Sequence, residues 1–145
     1  MEVTFSANVC TKVLYLYSEM ERWIIEATER SPSVVMDRQE GLLKVEGRSY
    51  PEEGMDFYDP IIIRFKSIQD TETPIKTIHI RLEYYNSATT KAMAELFTLL
   101  GKAKKNNHEV KVIWEYEEDD DGIQEDIDMF LETFDLDFDI RHTQF

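Results

Sequence analysis

The residues whose types and spacing best suit chemistry are the clustered hydroxyls of Asn86-Ser87-Ala88-Thr89-Thr90. Before them, Ile78, Ile80 and Leu82 alternate with polar residues, which predicts a half-buried strand from Ile75 to Tyr84. Asn, Ser and Thr at the start of a helix accept hydrogen bonds from the free amides of the first turn. A hydroxyl at that place is also accessible to a kinase, and the free amides favour a phosphate. The segment therefore predicts either a simple helix cap or a phosphorylation site.

Other kinds of reactive site are poorly supported by the sequence. His79, His108 and His142 are scattered, and no nucleophile-elbow pattern accompanies them. Neither these histidines nor Cys10 has the spacing of a metal site. The five glycines are isolated, so no phosphate-binding loop is predicted. We therefore predict no catalytic residue, no metal ligand and no cofactor.

One acidic loop resembles a calcium-binding loop, but the match is poor. Glu117, Asp119, Asp121 and Gly122 fall at positions 1, 3, 5 and 6 of an EF-hand-like loop. Asp128 stands where the bidentate Glu belongs, and the preceding segment reads as a strand rather than a helix. An acidic loop that complements the positive end of the following helix is the favoured interpretation. A metal-dependent enzyme is kept as the less favoured alternative.

The charge balance limits the classes of partner. The chain has 30 acidic and 16 basic residues and a formal net charge of −14, which opposes binding to nucleic acid and to anionic membranes. Most of this charge lies after His108. No apolar run is long enough to span a membrane, and we predict no membrane insertion. With a single cysteine and no visible signal peptide, the chain is predicted to be cytoplasmic.

The pattern along the chain predicts one α/β domain. Short strands are expected around Trp23–Ala27, Val34–Asp37 and Leu42–Gly47, and later strands at Ile75–Tyr84, Val110–Tyr116 and Leu136–Ile140. Helices are expected over Glu52–Ile68, from Ala92 to Ala103 and over Ile123–Phe134. Ser49 is predicted to cap the first helix, and Pro60 to kink or divide it.

Alternation of helix and strand after Glu52 implies crossover connections. We therefore predict a mixed, largely parallel sheet with about three helices and N-terminal antiparallel strands. In this interpretation residues 20–145 form the domain, and residues 1–19 are either a flexible N-terminal extension or an overlong gene start before Met20.

A resemblance to a known family rests on four stretches in order. They are Glu46-Gly47-Arg48-Ser49-Tyr50-Pro51-Glu52, Phe57-Tyr58-Asp59-Pro60, Leu82-Glu83-Tyr84-Tyr85-Asn86-Ser87-Ala88-Thr89-Thr90-Lys91 and Val112-Ile113-Trp114-Glu115-Tyr116-Glu117-Glu118-Asp119-Asp120. Together they resemble the SiaC family of bacterial regulatory phosphoproteins over about residues 20 to 141. The resemblance also implies an architecture like that of the anti-sigma-factor antagonists, the STAS-like fold.

The resemblance implies a protein that changes partners through reversible phosphorylation. A histidine-kinase-like Ser/Thr kinase would phosphorylate it, and a PP2C-type phosphatase would restore it. The unphosphorylated form would bind and activate a diguanylate cyclase, which promotes cyclic di-GMP signalling and biofilm formation.

The same resemblance implies the site residues. The family's acceptor is the hydroxyl residue directly after the Asn, which is Ser87 here. The usual Asn-Thr-Ser-Ser reads Asn86-Ser87-Ala88-Thr89, so Thr89 and Thr90 are kept as alternatives. Tyr84, Tyr85, Asn86 and Lys91 are expected to flank the partner-binding surface. The alternative function is a constitutive protein-binding module without phosphate control.

Overall fold

The computed structural model describes residues 22–52 and 55–145, which form six strands and three helices. In chain order the elements are β1 (Arg22–Ile25), β2 (Ser33–Asp37), β3 (Leu42–Ser49), α1 (Met55–Gln69), β4 (Thr77–Tyr85), α2 (Ser87–Lys105), β5 (Lys111–Tyr116), α3 (Asp121–Thr133) and β6 (Asp137–His142). The predicted element types are confirmed throughout this part of the chain. The predicted extension at residues 1–19 lies outside the described residues.

The six strands form one mixed sheet in the order β1-β2-β3-β4-β5-β6. The first two pairings are antiparallel, and β3 to β6 run parallel to one another. Each parallel connection contains one helix, as a crossover requires. The predicted fold class, a largely parallel α/β sheet with an antiparallel N-terminal part, is confirmed.

The three helices cover one face of the sheet and enclose the core. Alternate residues of the central strands are buried on that face, and their neighbours on the other face are only partly buried. Trp114 of β5 contacts Phe97 of α2 and Phe130 of α3, with ring centroids 6.2 and 5.7 Å apart. Phe97 also packs edge-to-face on Phe138 of the edge strand β6. Aromatic contacts therefore join α2 and α3 to the last two strands.

The first helix differs from its prediction near its start and at Pro60. The described helix runs from Met55 to Gln69, Glu52 lies in a turn before it, and Ser49 is a buried residue at the end of β3 rather than the helix cap. Pro60 lies inside one continuous helix, so the predicted division is wrong. The carbonyl that the proline ring would crowd belongs to Asp56 in the first turn, where the backbone has the most freedom to adjust.

An irregularity between β3 and β4 changes which side chains face outward. Gly47 pairs with Leu82, but the next residue, Arg48, pairs with Tyr84, so Glu83 is an extra residue in β4. Strict alternation from Leu82 would turn Tyr84 toward the core. The extra residue reverses the alternation, so Tyr84 is exposed and Tyr85 packs against the core. Gly47 has φ of +120°, a conformation that other residues rarely adopt.

Among residues 22–52 and 55–145, no helix is long and apolar enough to cross a bilayer.

Candidate functional site

The segment from Asn86 to Thr90 lies where β4 gives way to α2, at the carboxyl edge of the parallel strands. β3 and β4 end side by side there, with Ser49 paired to Tyr85. The amide of Asn86 donates to the carbonyl of Ser49 at 2.9 Å, which ties the start of α2 to the end of β3. In open α/β sheets this edge is the usual place for binding sites.

Asn86 is the N-cap of α2, and Ser87 is its first helical residue. The Asn86 side chain accepts a hydrogen bond from the Thr89 amide at 3.3 Å, as an N-cap does. Ser87 is exposed. The first turn of α2 contains no acidic residue, and the exposed Lys91 follows four residues after Ser87. A negative group on Ser87 would therefore meet free amides and the positive end of the helix dipole.

The hydroxyls of Thr89 and Thr90 differ from that of Ser87 in accessibility. Thr89 is 1% exposed. Its Oγ1 lies 2.6 Å from Ser49 Oγ, 3.0 Å from the Ser49 carbonyl oxygen and 3.2 Å from Asn86 Oδ1. Thr90 is half-buried, and its amide donates to the Asn86 carbonyl. Ser87 is thus the hydroxyl of the three that faces solvent most fully.

Tyr84 and Lys91 provide exposed side chains beside this turn. Tyr84 is 56% exposed and packs edge-to-face on Tyr50, with ring centroids 5.4 Å apart. The Arg30 guanidinium lies 6.0 Å from the centroid of the Tyr50 ring. An exposed aromatic ring on a fixed support suits protein recognition, since tyrosine offers a large contact area with little loss of entropy.

Tyr85 has structural contacts of its own. Tyr85 packs near Trp114 and donates its hydroxyl proton to Asp126 Oδ2 at 2.6 Å. Burial, and then the hydrogen bond to the Asp126 carboxylate, raise the pKa of the Tyr85 hydroxyl well above its usual range. The phenol therefore remains a donor at physiological pH and links the end of β4 to α3.

The acidic loop lies on the same edge of the sheet, between β5 and α3. Asp120 is the N-cap of α3 and accepts from the Ile123 amide at 3.0 Å. Asp121 is in the first turn, where a negative charge complements the helix dipole. The predicted role of these carboxylates at a helix start is confirmed. A groove of about 290 Å³ separates this loop from Tyr84 and Tyr85.

Two residues of the site were missed from the sequence. Ser49 and Tyr58 are 0% and 1% exposed, and their hydroxyl oxygens are 2.5 Å apart. Both oxygens belong to a buried polar group beneath the first turn of α2. Burial raises the pKa of the Tyr58 hydroxyl. In the local pattern, the position of Ser49 just before Tyr50-Pro51 favoured a helix cap instead.

The described residues thus form an α/β sheet whose carboxyl edge presents an exposed serine at a helix N-terminus. A family model for SiaC family regulatory phosphoproteins matches residues 25–143. The chain therefore belongs to the SiaC family of regulatory phosphoproteins.

Known proteins from Pseudomonas aeruginosa are similar to this chain over most of its length. An uncharacterized protein of strain UCBPP-PA14 is 29% identical over 120 residues, which cover 81% of this chain and 93% of that protein. The crystal structure of apo-SiaC is 28% identical, with a TM-score of 0.72, and the match covers 83% of this chain and 98% of that one.

A further solved structure is that of the diguanylate cyclase SiaD in complex with its activator SiaC. The matched chain of that complex is 27% identical to this one, with a TM-score of 0.75 over 83% of this chain and 99% of that chain. The similarity extends across the parallel sheet and its helices, so the predicted membership of the family is confirmed.

Proposed function

We propose that this chain is a non-enzymatic partner-switching protein controlled by phosphorylation of Ser87. In its unphosphorylated form it binds and activates a diguanylate cyclase in the cytoplasm. A histidine-kinase-like Ser/Thr kinase phosphorylates Ser87 and ends this association. A PP2C-type phosphatase removes the phosphate and restores it.

The observation that carries the proposal is the difference between Ser87 and Thr89. Ser87 is exposed at the first position of α2, whereas Thr89 is buried and engaged by three polar oxygen atoms. Phosphorylation of Thr89 would require the helix start to open and its buried hydrogen bonds to break. Ser87 can be modified in the folded domain, so it is favoured over the alternatives Thr89 and Thr90.

The transfer step needs a nucleoside triphosphate as the phosphoryl donor. A new bond forms between Ser87 Oγ and the γ-phosphorus, and the bond from that phosphorus to the bridging oxygen breaks. The hydroxyl proton passes to a base on the kinase, and the nucleoside diphosphate leaves. The product carries about −1.5 to −2 additional charge at neutral pH, held near the free amides of α2.

The effect of the phosphate on a partner follows from its place on the surface. Tyr84 and Lys91 lie on either side of Ser87 in the sequence, and both are exposed. We assign them to the partner-binding surface, with Tyr85 and Asn86 as the residues that hold its backbone. A phosphate between them adds bulk and demands solvation, which opposes a partner that covers this turn. The activator role of the related SiaC in its complex with SiaD supports a cyclase as that partner.

Peptide mapping after incubation with the cognate kinase tests the assignment of the site. We expect one phosphate per chain, on the peptide that contains Ser87, and background labelling in Ser87→Ala. Ser67→Ala serves as the matched control, because Ser67 is an exposed serine in α1. It should be labelled like the wild type. Modification only outside Ser87 to Thr90 would refute the assignment.

A further inference from the structure

Three buried hydroxyls meet beneath the first turn of α2, each from a different element. Ser49 ends β3, Tyr58 lies in α1, and Thr89 is the third residue of α2. Each side chain is at most 1% exposed. Ser49 Oγ is central, 2.5 Å from Tyr58 Oη and 2.6 Å from Thr89 Oγ1. We call these residues the hydroxyl cluster of Ser49, Tyr58 and Thr89.

The hydrogen bonds of this cluster can satisfy every hydroxyl proton. Ser49 Oγ is within hydrogen-bond distance of Tyr58 Oη, and the phenol is kept protonated because burial raises its pKa. In one arrangement that satisfies every hydroxyl, Tyr58 donates to Ser49 Oγ, and Ser49 Oγ donates to Thr89 Oγ1. The Thr89 proton goes to the Ser49 carbonyl or to Asn86 Oδ1, at 3.0 and 3.2 Å. Every proton of the cluster then has an acceptor.

Further hydrogen bonds connect the cluster to Asn86, the residue before Ser87. The Ser49 carbonyl accepts from the Asn86 amide as well as from Thr89. The Asn86 side chain accepts from the Thr89 amide. The backbone on both sides of Ser87 is thereby held by buried and partly buried hydrogen bonds, while the Ser87 side chain itself is exposed. Fully satisfied buried networks make the local structure rigid.

We propose that Thr89, together with Ser49 and Tyr58, positions the first turn of α2 so that Ser87 Oγ is presented for phosphoryl transfer. Thr89 is on this account a positioning residue and not an acceptor. The inference rests on the proposed function in taking Ser87 as the acceptor. Phosphoryl transfer depends mainly on alignment of the acceptor oxygen with the phosphorus, so a looser turn should slow the transfer step.

Steady-state kinetics of Ser87 phosphorylation test this role. Thr89→Val keeps the shape of the side chain and removes the hydroxyl, and we expect kcat to fall about tenfold with KM within about twofold of the wild type. Thr89→Ser, which restores a hydroxyl, should recover most of the rate. Thr98→Val is the matched control, since Thr98 is an exposed residue of α2 whose hydroxyl donates to its own helix at Ala94. It should behave like the wild type.

Hydrogen–deuterium exchange without any kinase gives a second, independent readout. In Thr89→Val and Tyr58→Phe we expect exchange of the Asn86 and Thr90 amides to rise about tenfold, with no change at Leu100 in the second half of α2. Unchanged exchange at Asn86 and Thr90 would overturn the inference. Faster exchange with an unchanged kcat would also overturn it, because the cluster would then be structural only. If the wild type is never phosphorylated on Ser87, the proposed function fails, and the exchange data still decide whether the cluster holds the turn.

Discussion

Ser87→Asp should weaken binding to the cyclase partner at least tenfold, while Ser87→Ala should bind within about twofold of the wild type. A tenfold loss corresponds to about 1.4 kcal/mol. The effect is expected because aspartate places a charge beside Tyr84 on the proposed contact surface, where it must be desolvated when the partner covers it. Alanine adds neither charge nor bulk. Titration calorimetry of both variants against the purified cyclase measures the difference.

A matched pair separates this effect from the general acidity of the protein. Ser67→Asp adds the same charge at an exposed site in α1, and the chain already carries a net charge of −14. It should bind like the wild type, since a single distant charge is largely screened at physiological salt. Equal binding by the Ser87→Ala and Ser87→Asp variants would instead favour the constitutive binding module.

Trp114→Ala should lower the free energy of unfolding by about 3 to 5 kcal/mol, enough to unfold a marginally stable domain. Trp114 is fully buried and packs near Phe97, Phe130 and Tyr85. Its removal leaves a cavity between β5 and the two helices that it joins. Urea denaturation followed by circular dichroism measures the loss.

Two further variants test the cause of that loss. Trp114→Phe should cost less than half as much, because it keeps an aromatic ring and removes an indole N–H that has no acceptor in the described part of the chain. Trp23→Ala should cost about 1 kcal/mol, since Trp23 is only partly buried on the edge strand β1. A similar loss in all three variants would contradict this explanation.

The architecture was predictable because hydrophobic patterning is clear in the central strand β4 and in α2. The alternation of Ile78, Ile80 and Leu82 gave the central strand, and the apolar stripe from Ala92 to Ala103 gave α2. Alternation of helix and strand then implied the parallel sheet. Local propensity and tertiary packing agree along these segments, so sequence patterns were sufficient there.

The details of the site depend on contacts between residues far apart in the sequence. The extra residue Glu83 reverses the alternation of β4 and exposes Tyr84, and no local pattern marks it. Ser49 before a proline favoured a helix cap, but β3 extends to Ser49, which is buried against Tyr58 and Thr89. Composition alone also could not separate Ser87 from Thr89, since both residues suit a helix start.

The central claim, reversible control through Ser87, is tested most directly by cyclase activity. Wild-type chain, chain phosphorylated on Ser87 as verified by mass spectrometry, and the latter after phosphatase treatment are each titrated into the purified diguanylate cyclase, and cyclic di-GMP formation is measured. The unphosphorylated chain should raise the rate, the phosphorylated chain should leave it at the basal level, and phosphatase treatment should restore activation. Equal activation by all three preparations would contradict the account.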